Sequence, residues 1–143
     1  MEDRYLCRGK RTDNGEWVEG FYFCMIHPDG RHTHHFIIPL GTDLSLGTPI
    51  EKIQVEVDPS TICRCTGLKD KNGKLIWEND IIECKDGKHN FQTQIEWDAY
   101  CAGFIFQDTE TSAVGLDAIT ENGLYSESKV VGNIFDNPEL LEV

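Results

Sequence analysis

Short apolar runs separated by polar turns dominate this chain, and most of them follow the two-residue spacing of β-strands. Ile53, Val55 and Val57 alternate with polar residues, and residues 91–97 repeat this alternation. Because successive side chains of a strand point to opposite faces, both segments are predicted to be half-buried strands. Further short strands are predicted at residues 17–26, 36–38, 75–77, 81–84, 103–106 and 130–135.

Turn signals connect these runs, and each of them ends in glycine. Asparagine, aspartate and glycine tolerate the positive φ angles that tight hairpin turns require. Many short strands joined by such turns are typical of a small barrel or a sandwich, so the chain is predicted to be mainly β. The four clearest signals are Asp13-Asn14-Gly15, Pro28-Asp29-Gly30, Lys71-Asn72-Gly73 and Lys85-Asp86-Gly87.

Helical signals are concentrated in the C-terminal part of the chain. Asp136 or Asn137 can cap a helical turn, Pro138 suits its first position, and Glu139 favours its N-terminus. One helical turn is therefore predicted there. Residues 109–123 fit a helical turn and an irregular strand equally well.

The length of 143 residues indicates one domain over residues 1–143, since domains commonly contain roughly 100–150 residues. Asp58-Pro59-Ser60 interrupts the strand pattern, so two lobes at residues 1–60 and 61–143 are the alternative organisation. A composition of 39% hydrophobic and 27% charged residues is ordinary for a globular protein. The chain is predicted to fold without further partners.

The location is predicted from what the sequence lacks. No segment reaches the roughly 18 consecutive apolar residues that a membrane span needs. The chain begins with Glu2 and Asp3, where a secretory signal would be basic and then apolar. The protein is therefore predicted to be cytoplasmic, without a membrane partner. Because the cytosol keeps thiols reduced, the six cysteines are predicted to be free and mostly buried.

The formal net charge of -12 argues against generic binding of duplex nucleic acid, which normally needs a basic surface. Residues 91–143 hold much of this acidity, with one basic residue against ten acidic ones. Arg4, Arg8, Lys10 and Arg11 form a basic segment at the other end. These four are interpreted either as a charged strand edge that discourages pairing, or as a candidate interaction patch for an anion or for self-assembly.

Four ordered blocks along the chain resemble the YopX family of phage and prophage proteins. Together they extend over nearly the whole chain, which makes the resemblance specific. The blocks are Arg8-Gly9-Lys10 with Asp13-Asn14-Gly15-Glu16-Trp17-Val18 and Gly20; Val57-Asp58-Pro59-Ser60-Thr61-Ile62; Thr66-Gly67-Leu68-Lys69-Asp70-Lys71-Asn72-Gly73-Lys74; and Val131-Gly132-Asn133-Ile134-Phe135-Asp136-Asn137-Pro138-Glu139-Leu140-Leu141.

The resemblance implies a mainly β protein with an SH3-like small β-barrel in its second half and an additional N-terminal β-hairpin region. It also implies a phage or prophage origin, a location in the bacterial host cell and an unassigned biochemical function. One departure is visible, because Glu78-Asn79-Asp80 stands where the family typically has Glu-Gly-Asp. Asparagine accepts a left-handed conformation better than other non-glycine residues, so this turn is predicted to survive.

Candidate metal ligands are His32, His34 and His35, together with Cys63 and Cys65. Structural zinc sites favour about two to four residues between paired cysteines, whereas a single residue separates these two. On a strand, both cysteines would share one face and serve as small buried hydrophobes. No metal or other cofactor is predicted.

The remaining acidic residues do not predict catalysis. Asp70-Lys71-Asn72-Gly73 superficially matches a calcium loop but lacks the distal glutamate, and a hairpin turn explains it better. Glu78, Asp80, Glu96 and Asp98 can form pairs, yet no catalytic triad, phosphate loop or dinucleotide motif accompanies them. The protein is predicted not to be an enzyme.

The leading hypothesis for function is therefore a non-enzymatic module that binds a host or phage protein, or its own copies as a homo-oligomer. In one form of it, the acidic C-terminal third imitates the charge of DNA. The alternative is a nucleic-acid-binding protein that uses local basic patches: the four N-terminal cations and the lysines of the hairpins.

Overall fold

The computed structural model describes residues 3–43, 45, 47–87, 89–109, 112–120 and 123–142. Within these residues the fold is mainly β, with three antiparallel sheets, short 3-10 turns and no α-helix. The expectation of a mainly β protein is confirmed. No helical segment in this part of the chain is long and apolar enough to cross a membrane. The chain divides into two compact units, residues 1–64 and 65–143.

The first unit is built around one long hairpin. Its strands are β1 (Cys7–Lys10), β2 (Trp17–Ile26), β3 (Thr33–Pro39), β4 (Val55–Glu56) and the beginning of β5 (Cys63–Lys69). They lie in the order β4-β3-β2-β1-β5, with antiparallel neighbours throughout. The 3-10 turns of this unit are Asp3–Tyr5, Ile50–Lys52 and Pro59–Thr61.

The core of the first unit lies on one face of this sheet. Val18, Ile37 and Val57 are buried together there. Gly20 lies on the same strand as Val18, and a Cβ atom at this position would collide with the backbone oxygen of Ile38. The close approach of β2 and β3 therefore requires glycine at residue 20.

The second unit contains the remaining strands. They are β6 (Leu75–Trp77), β7 (Asp80–Asp86), β8 (His89–Gln94), β9 (Glu96–Asp98), β10 (Gly103–Gln107), β11 (Ala113–Gly115) and β12 (Lys129–Asn133). β6 pairs with the later part of β5, while β12-β7-β8 and β11-β10-β9 form two three-stranded sheets. Its 3-10 turns are Leu116–Ile119 and Pro138–Leu141.

Both three-stranded sheets contribute to one core. Ile82 of β7 and Phe106 of β10 are fully buried in the same cluster. The Tyr125 ring packs edge-on against Phe106, with ring centroids 5.5 Å apart, and against Phe91 of β8 at 5.8 Å. This aromatic group joins the two sheets of the second unit.

Several strand predictions agree with the structure, and three do not. The strand predicted at residues 130–135 is too long, since β12 ends at Asn133 and a turn follows. The predicted strands at residues 17–26 and 75–77 are confirmed with the same bounds. The strand predicted at residues 53–57 is wrong in length, since only β4 forms there. The preceding 3-10 turn draws the N–H group of Gln54 to the Ile50 oxygen at 2.9 Å, which takes this residue out of the ladder.

The single strand predicted at residues 91–97 is also wrong. β8 ends one residue before Ile95 and β9 begins one residue after it, and the two strands belong to different sheets. Ile95 donates its N–H group to the Asp80 oxygen at 2.8 Å and accepts the N–H group of Asn79 at 2.8 Å. Apolar and polar side chains continue to alternate through this corner, so the hydrophobic pattern does not indicate that the chain changes sheets there.

The asparagine predicted to replace glycine in the turn before β7 adopts the expected conformation. Asn79 has a φ angle of 69°, and its side-chain oxygen accepts a hydrogen bond from the Gln94 amide at 2.9 Å. Its backbone oxygen accepts the N–H group of Ile134 at 3.1 Å. The turn therefore survives the substitution, and this prediction is confirmed.

The C-terminal helical turn is confirmed as a 3-10 turn that begins at Pro138. Asn137 occupies the N-cap position but does not cap the turn through its side chain, whose oxygen instead accepts the N–H group of Asn133 at 3.3 Å. Residues 109–123, which fit either a helical turn or an irregular strand, contain both, because β11 leads directly into the 3-10 turn Leu116–Ile119. Residues 110, 111, 121 and 122 of that segment lie outside the described residues.

No closed barrel is present among the described strands. β7, β8 and β12 form one sheet of the second unit, and β9, β10 and β11 form another. The SH3-like barrel that the resemblance implies for the second half of the chain is therefore not observed as a closed barrel in these strands.

Candidate protein-interaction surface

The long hairpin of the first unit extends past the strand that supports it. β1 pairs only with residues 17–20 of β2, whereas β2 and β3 continue to pair as far as Ile26 and Thr33. We call residues 21–38 the distal hairpin: the outer part of β2, the loop at residues 27–32, and β3 up to Ile38. β4 pairs with β3 at Phe36 and Ile37, so only the outermost part, residues 24–34, consists of two strands and their loop, and there both faces carry solvent-exposed side chains.

One face of the distal hairpin is almost entirely apolar. Phe21 lies opposite Ile38, and Phe23 lies opposite Phe36, whose ring centroid is 5.3 Å away. Met25 follows on the same face. Phe21 is 41% exposed and Met25 is 52% exposed, which is unusual for large apolar side chains on one face of a strand.

The opposite face combines apolar and polar groups. The Tyr22 hydroxyl lies 2.6 Å from Nδ1 of His35, and the two rings stack at 5.9 Å. Partial burial, and next the neighbouring Cys24, raise the pKa of the Tyr22 hydroxyl. Tyr22 is 37% exposed and Ile26 is 68% exposed. Apolar area therefore continues around the hairpin.

The loop of the distal hairpin is organised by Asp29. Its carboxylate accepts backbone N–H groups from Arg31 at 2.8 Å and His32 at 3.2 Å. Its other oxygen lies 2.6 Å from Nδ1 of His32. These hydrogen bonds, the one from Arg31 first, lower the pKa of Asp29, so its carboxylate remains charged at a lower pH than usual.

An apolar depression of about 330 Å³ lies at the end of the distal hairpin. Its lining includes Met25, Ile26, Pro28 and Phe36. The depression can accept an apolar side chain of a partner, because the surrounding side chains are already held by the strand pairing.

The four basic residues of the predicted patch have different surroundings. Arg8 is 9% exposed, and its guanidinium lies over the Trp17 ring at 4.6 Å, with the Lys10 ammonium at 5.4 Å from the same ring. Arg11 binds the Asp13 carboxylate through two nitrogens, at 2.9 and 2.8 Å.

The fourth residue, Arg4, is exposed and lies over the Tyr5 ring at 5.3 Å. The structure thus brings Arg8 and Lys10 together on one tryptophan and directs Arg11 to an aspartate. An interaction patch formed by all four stays a prediction.

The predicted metal ligands are distributed over several environments. His32 faces Asp29, His34 Nδ1 lies 3.2 Å from the Glu56 carboxylate, and His35 contacts Tyr22. Cys63 and Cys65 are both buried. Among the described residues, no three histidine, cysteine or acidic side chains are placed to hold one metal ion.

Two of the acidic residues considered for catalysis accept backbone hydrogen bonds. Asp80, which is almost fully buried, accepts the N–H group of Trp77 at 2.8 Å. Asp98 accepts the N–H group of Tyr100 at 2.9 Å. Both carboxylates thereby stabilise turns.

The sequence pattern alone does not identify the distal hairpin as a surface, because large apolar side chains in strands usually belong to the core. A signal was present, since residues 21–26 contain apolar side chains at odd and even positions alike. A strand with one solvent face normally alternates with polar residues. A strand without this alternation is either buried on both faces or exposes apolar side chains to solvent. The extent of pairing between β1 and β2 decides between these two cases.

The positions of the cysteines predict a selective chemical reaction. Cys24 and Cys101 are exposed, whereas Cys63, Cys65 and Cys84 are buried, and burial raises the pKa of the Cys84 thiol. We expect a maleimide to label Cys24 and Cys101 in dilute native protein and to label the buried three only after unfolding. Peptide mass spectrometry after brief labelling tests this, and rapid native labelling of Cys84 would contradict it.

Comparison with solved structures supports the fold as a whole. The crystal structure of protein EF1440 from Enterococcus faecalis is 27% identical in sequence, with a TM-score of 0.55, and the match covers 95% of this chain and 96% of that one. Protein yopX from Bacillus subtilis is similar in fold, at 17% identity and a TM-score of 0.53, over 97% of this chain and 99% of its own.

Comparison with curated proteins finds no match. The family model described as YopX protein, in contrast, matches residues 8–142, which is nearly the whole chain. The four sequence blocks, the mainly β fold and this match agree with one another. The chain belongs to the YopX family.

Proposed function

We propose that this protein is a non-enzymatic interaction module that binds another protein or a second copy of itself through the distal hairpin. The observation that carries the proposal is the exposure of Phe21, Tyr22, Met25 and Ile26 on the outer part of one strand, β2. Aromatic residues and methionine are enriched in protein interfaces, and contiguous exposed apolar patches often mark them. The partner is a phage or host protein if the chain is encoded by a phage, as its resemblance implies.

The form of the surface favours a protein over a small molecule. Small-molecule sites are concave and enclose most of their ligand. The distal hairpin instead presents apolar side chains on both faces of a ribbon, with one open depression at its end. A partner that contacts Met25 and Phe21 on one face, or Ile26 and Tyr22 on the other, buries aromatic and aliphatic area without charged groups.

The SH3-like barrel implied by the resemblance remains part of this proposal for the second unit. Its support is that both three-stranded sheets pack around one core centred on Phe106. In this arrangement the second unit stabilises the chain and the distal hairpin of the first unit binds.

The proposal is tested by capture from a bacterial lysate with matched variants. A tagged chain with Met25→Glu and Ile26→Glu places two charges on the distal hairpin. The control chain carries Tyr100→Glu and Leu124→Glu, two substitutions at other exposed apolar positions. We expect a captured protein to be retained by the wild type and the control, to survive nuclease treatment, and to be lost from the hairpin variant.

A captured protein that binds all three chains equally would contradict the proposed surface. Recovery of nucleic acid, or loss of every captured protein after nuclease treatment, would favour the alternative function as a nucleic-acid-binding protein. Both variants are first checked for unchanged thermal unfolding, so that loss of binding is not loss of fold.

A further inference from the structure

We infer that the outer edge of β2 at residues 22–26 pairs with the same edge of a second copy, as an antiparallel strand pair with Cys24 opposite Cys24. This inference rests on the proposed function and names the partner as a second copy of the chain. It follows from backbone geometry, from the charges of the segment and from the place where β1 begins.

The backbone groups of this edge are identified by the hydrogen bonds of the hairpin. Leu40 donates its N–H group to the Glu19 oxygen at 3.0 Å, and His27 donates to the His32 oxygen at 2.8 Å. Odd-numbered residues of β2 therefore bond to β3. In an antiparallel ladder these bonds alternate, so even-numbered residues direct their N–H and C=O groups to the other side.

β1 uses that other side only as far as Gly20, which pairs with Cys7. Beyond this point, the outward groups belong to Tyr22, Cys24 and Ile26. Among the described residues, no strand pairs with them. They form a row of hydrogen-bond donors and acceptors on an otherwise complete strand.

The side chains of this segment favour pairing and do not oppose it. Residues 21–26 contain aromatic, aliphatic and cysteine side chains, with no charged residue, proline or glycine. Natural proteins usually protect an edge strand with charged residues, proline or a bulge, and an uncharged apolar edge is a template for pairing with another chain. Although the whole chain carries a charge of -12, two such edges meet without local charge repulsion.

Symmetry and the length of the free edge together give the register. In an antiparallel pair between identical edges, outward-bonding residues face outward-bonding residues, and the register that pairs all five residues 22–26 places Cys24 opposite Cys24 and Tyr22 opposite Ile26. On the other face, Phe23 then lies opposite Met25 of the second copy. Apolar side chains become cross-strand neighbours on both faces, which stabilises a pair of strands.

The ends of the paired segment also fit. In this register, His27 of one copy lies opposite Phe21 of the other, and the next position is already occupied by Cys7 of β1. Pro28, which has no N–H group to donate, stands at that position and ends the strand. The second copy therefore extends the line of β1 and stops where β1 begins.

The geometry gives a closed and weak dimer. The other side of β2 is bonded to β3, so each copy offers this edge once and the twofold pair does not propagate. Five paired residues on each side are fewer than the about 20–30 residues of a standard interface. Self-association should consequently depend on concentration.

Sedimentation velocity of the purified chain over a range of concentrations tests the inference. We expect a reversible monomer–dimer equilibrium for the wild type. Cys24→Lys places two like charges directly opposite each other and should raise the dimer Kd about tenfold or more. Cys101→Lys makes the same change at the other exposed cysteine and should leave the Kd within about twofold.

Two further variants distinguish the contribution of the backbone hydrogen bonds to dimerisation from that of the Cys24 side chain. Cys24→Pro removes an N–H group that β3 does not use, so the hairpin ladder keeps its hydrogen bonds while the edge loses one on each copy. We expect a Kd raised by about tenfold, with thermal unfolding as the check on folding. Cys24→Ser should still dimerise.

Oxidation with copper–phenanthroline tests the register of the strand pair, because it cross-links only cysteines that lie close together. Two Cys24 thiols release two protons to the solvent, transfer two electrons to two added copper(II) ions and form one disulfide. This is geometrically possible because opposed residues of a bonded pair have Cα atoms about 5.5 Å apart. The covalent dimer should be lost in Cys24→Ser and kept in Cys101→Ser.

A monomer at every concentration, equal effects of the two lysine substitutions, or cross-linking through Cys101 would overturn the inference. The experiments distinguish a failure of the self-pairing inference from a failure of the proposed function. If a monomeric chain still captures a nuclease-resistant protein that Cys24→Lys releases, the edge binds a foreign strand, and self-pairing is wrong while the interaction module remains.

Discussion

Replacement of Phe106 by alanine should lower the free energy of unfolding of the second unit by about 3–5 kcal/mol, the usual cost of removing a buried aromatic side chain. Phe106 is fully buried and belongs to the core to which both three-stranded sheets contribute. Its ring also packs edge-on against Tyr125. The truncation therefore removes apolar burial, leaves a cavity and takes away an aromatic contact at the same time.

Urea denaturation of the purified chain, followed by far-UV circular dichroism and by tryptophan fluorescence, measures this effect. Trp77 is buried in the same unit and reports its unfolding. Tyr100→Ala is the control, because this ring is fully exposed and its loss should change stability by no more than about 0.5 kcal/mol. Equal denaturation midpoints for Phe106→Ala and the wild type would show that the core is assigned incorrectly.

Replacement of Asp70 by alanine should lower the free energy of unfolding by about 2–4 kcal/mol, because three backbone N–H groups lose the buried carboxylate that accepts their hydrogen bonds. One carboxylate oxygen of Asp70 accepts the N–H groups of Asn72 and Lys74, both at 2.9 Å. The other oxygen accepts the N–H group of Val130 at 2.9 Å. Asp70 is itself buried, and it connects the turn after β5 to the distant strand β12.

Two substitutions make this prediction specific. Asp70→Asn keeps one acceptor oxygen for the turn but turns an amide donor toward the Val130 N–H group, so its loss of stability should be intermediate. Asp29→Ala removes a carboxylate that makes similar local hydrogen bonds in an exposed loop, and should cost about 1 kcal/mol or less, because water replaces those bonds. A smaller loss for Asp70→Ala than for Asp29→Ala would refute the role assigned to the buried carboxylate.

Asp70 also illustrates how far a motif can be interpreted without coordinates. The sequence favoured a hairpin turn over a calcium loop at this position, and the structure contains a hairpin turn, with Gly73 at a φ angle of 80°. The bond to Val130 joins residues 60 positions apart. No local pattern predicts this contact, since it depends on how the second unit packs.

Local features of this protein were accessible from the order of its residues. Hairpin turns, strands such as β2 and β6, and the left-handed Asn79 follow from φ preferences and from side-chain alternation, which act over a few neighbouring residues. The ordered blocks identified the family for the same reason, since they are continuous segments. These features could be predicted without knowing which other segment of the chain each one contacts.

Long-range pairing accounts for the rest. At the corner that separates two sheets, the N–H and C=O groups of Ile95 bond to Asp80 and Asn79, which are distant in the sequence. Arg8 is buried against Trp17, although its charge suggested an exposed patch, because the register of β1 and β2 places the two side chains on one face. β1 begins at Cys7, opposite Gly20, and therefore leaves residues 21–26 of β2 as an exposed edge. Hydrogen-bond partners across strands are chosen by the packing of the whole unit, and a linear pattern of hydrophobic and polar residues does not contain that choice.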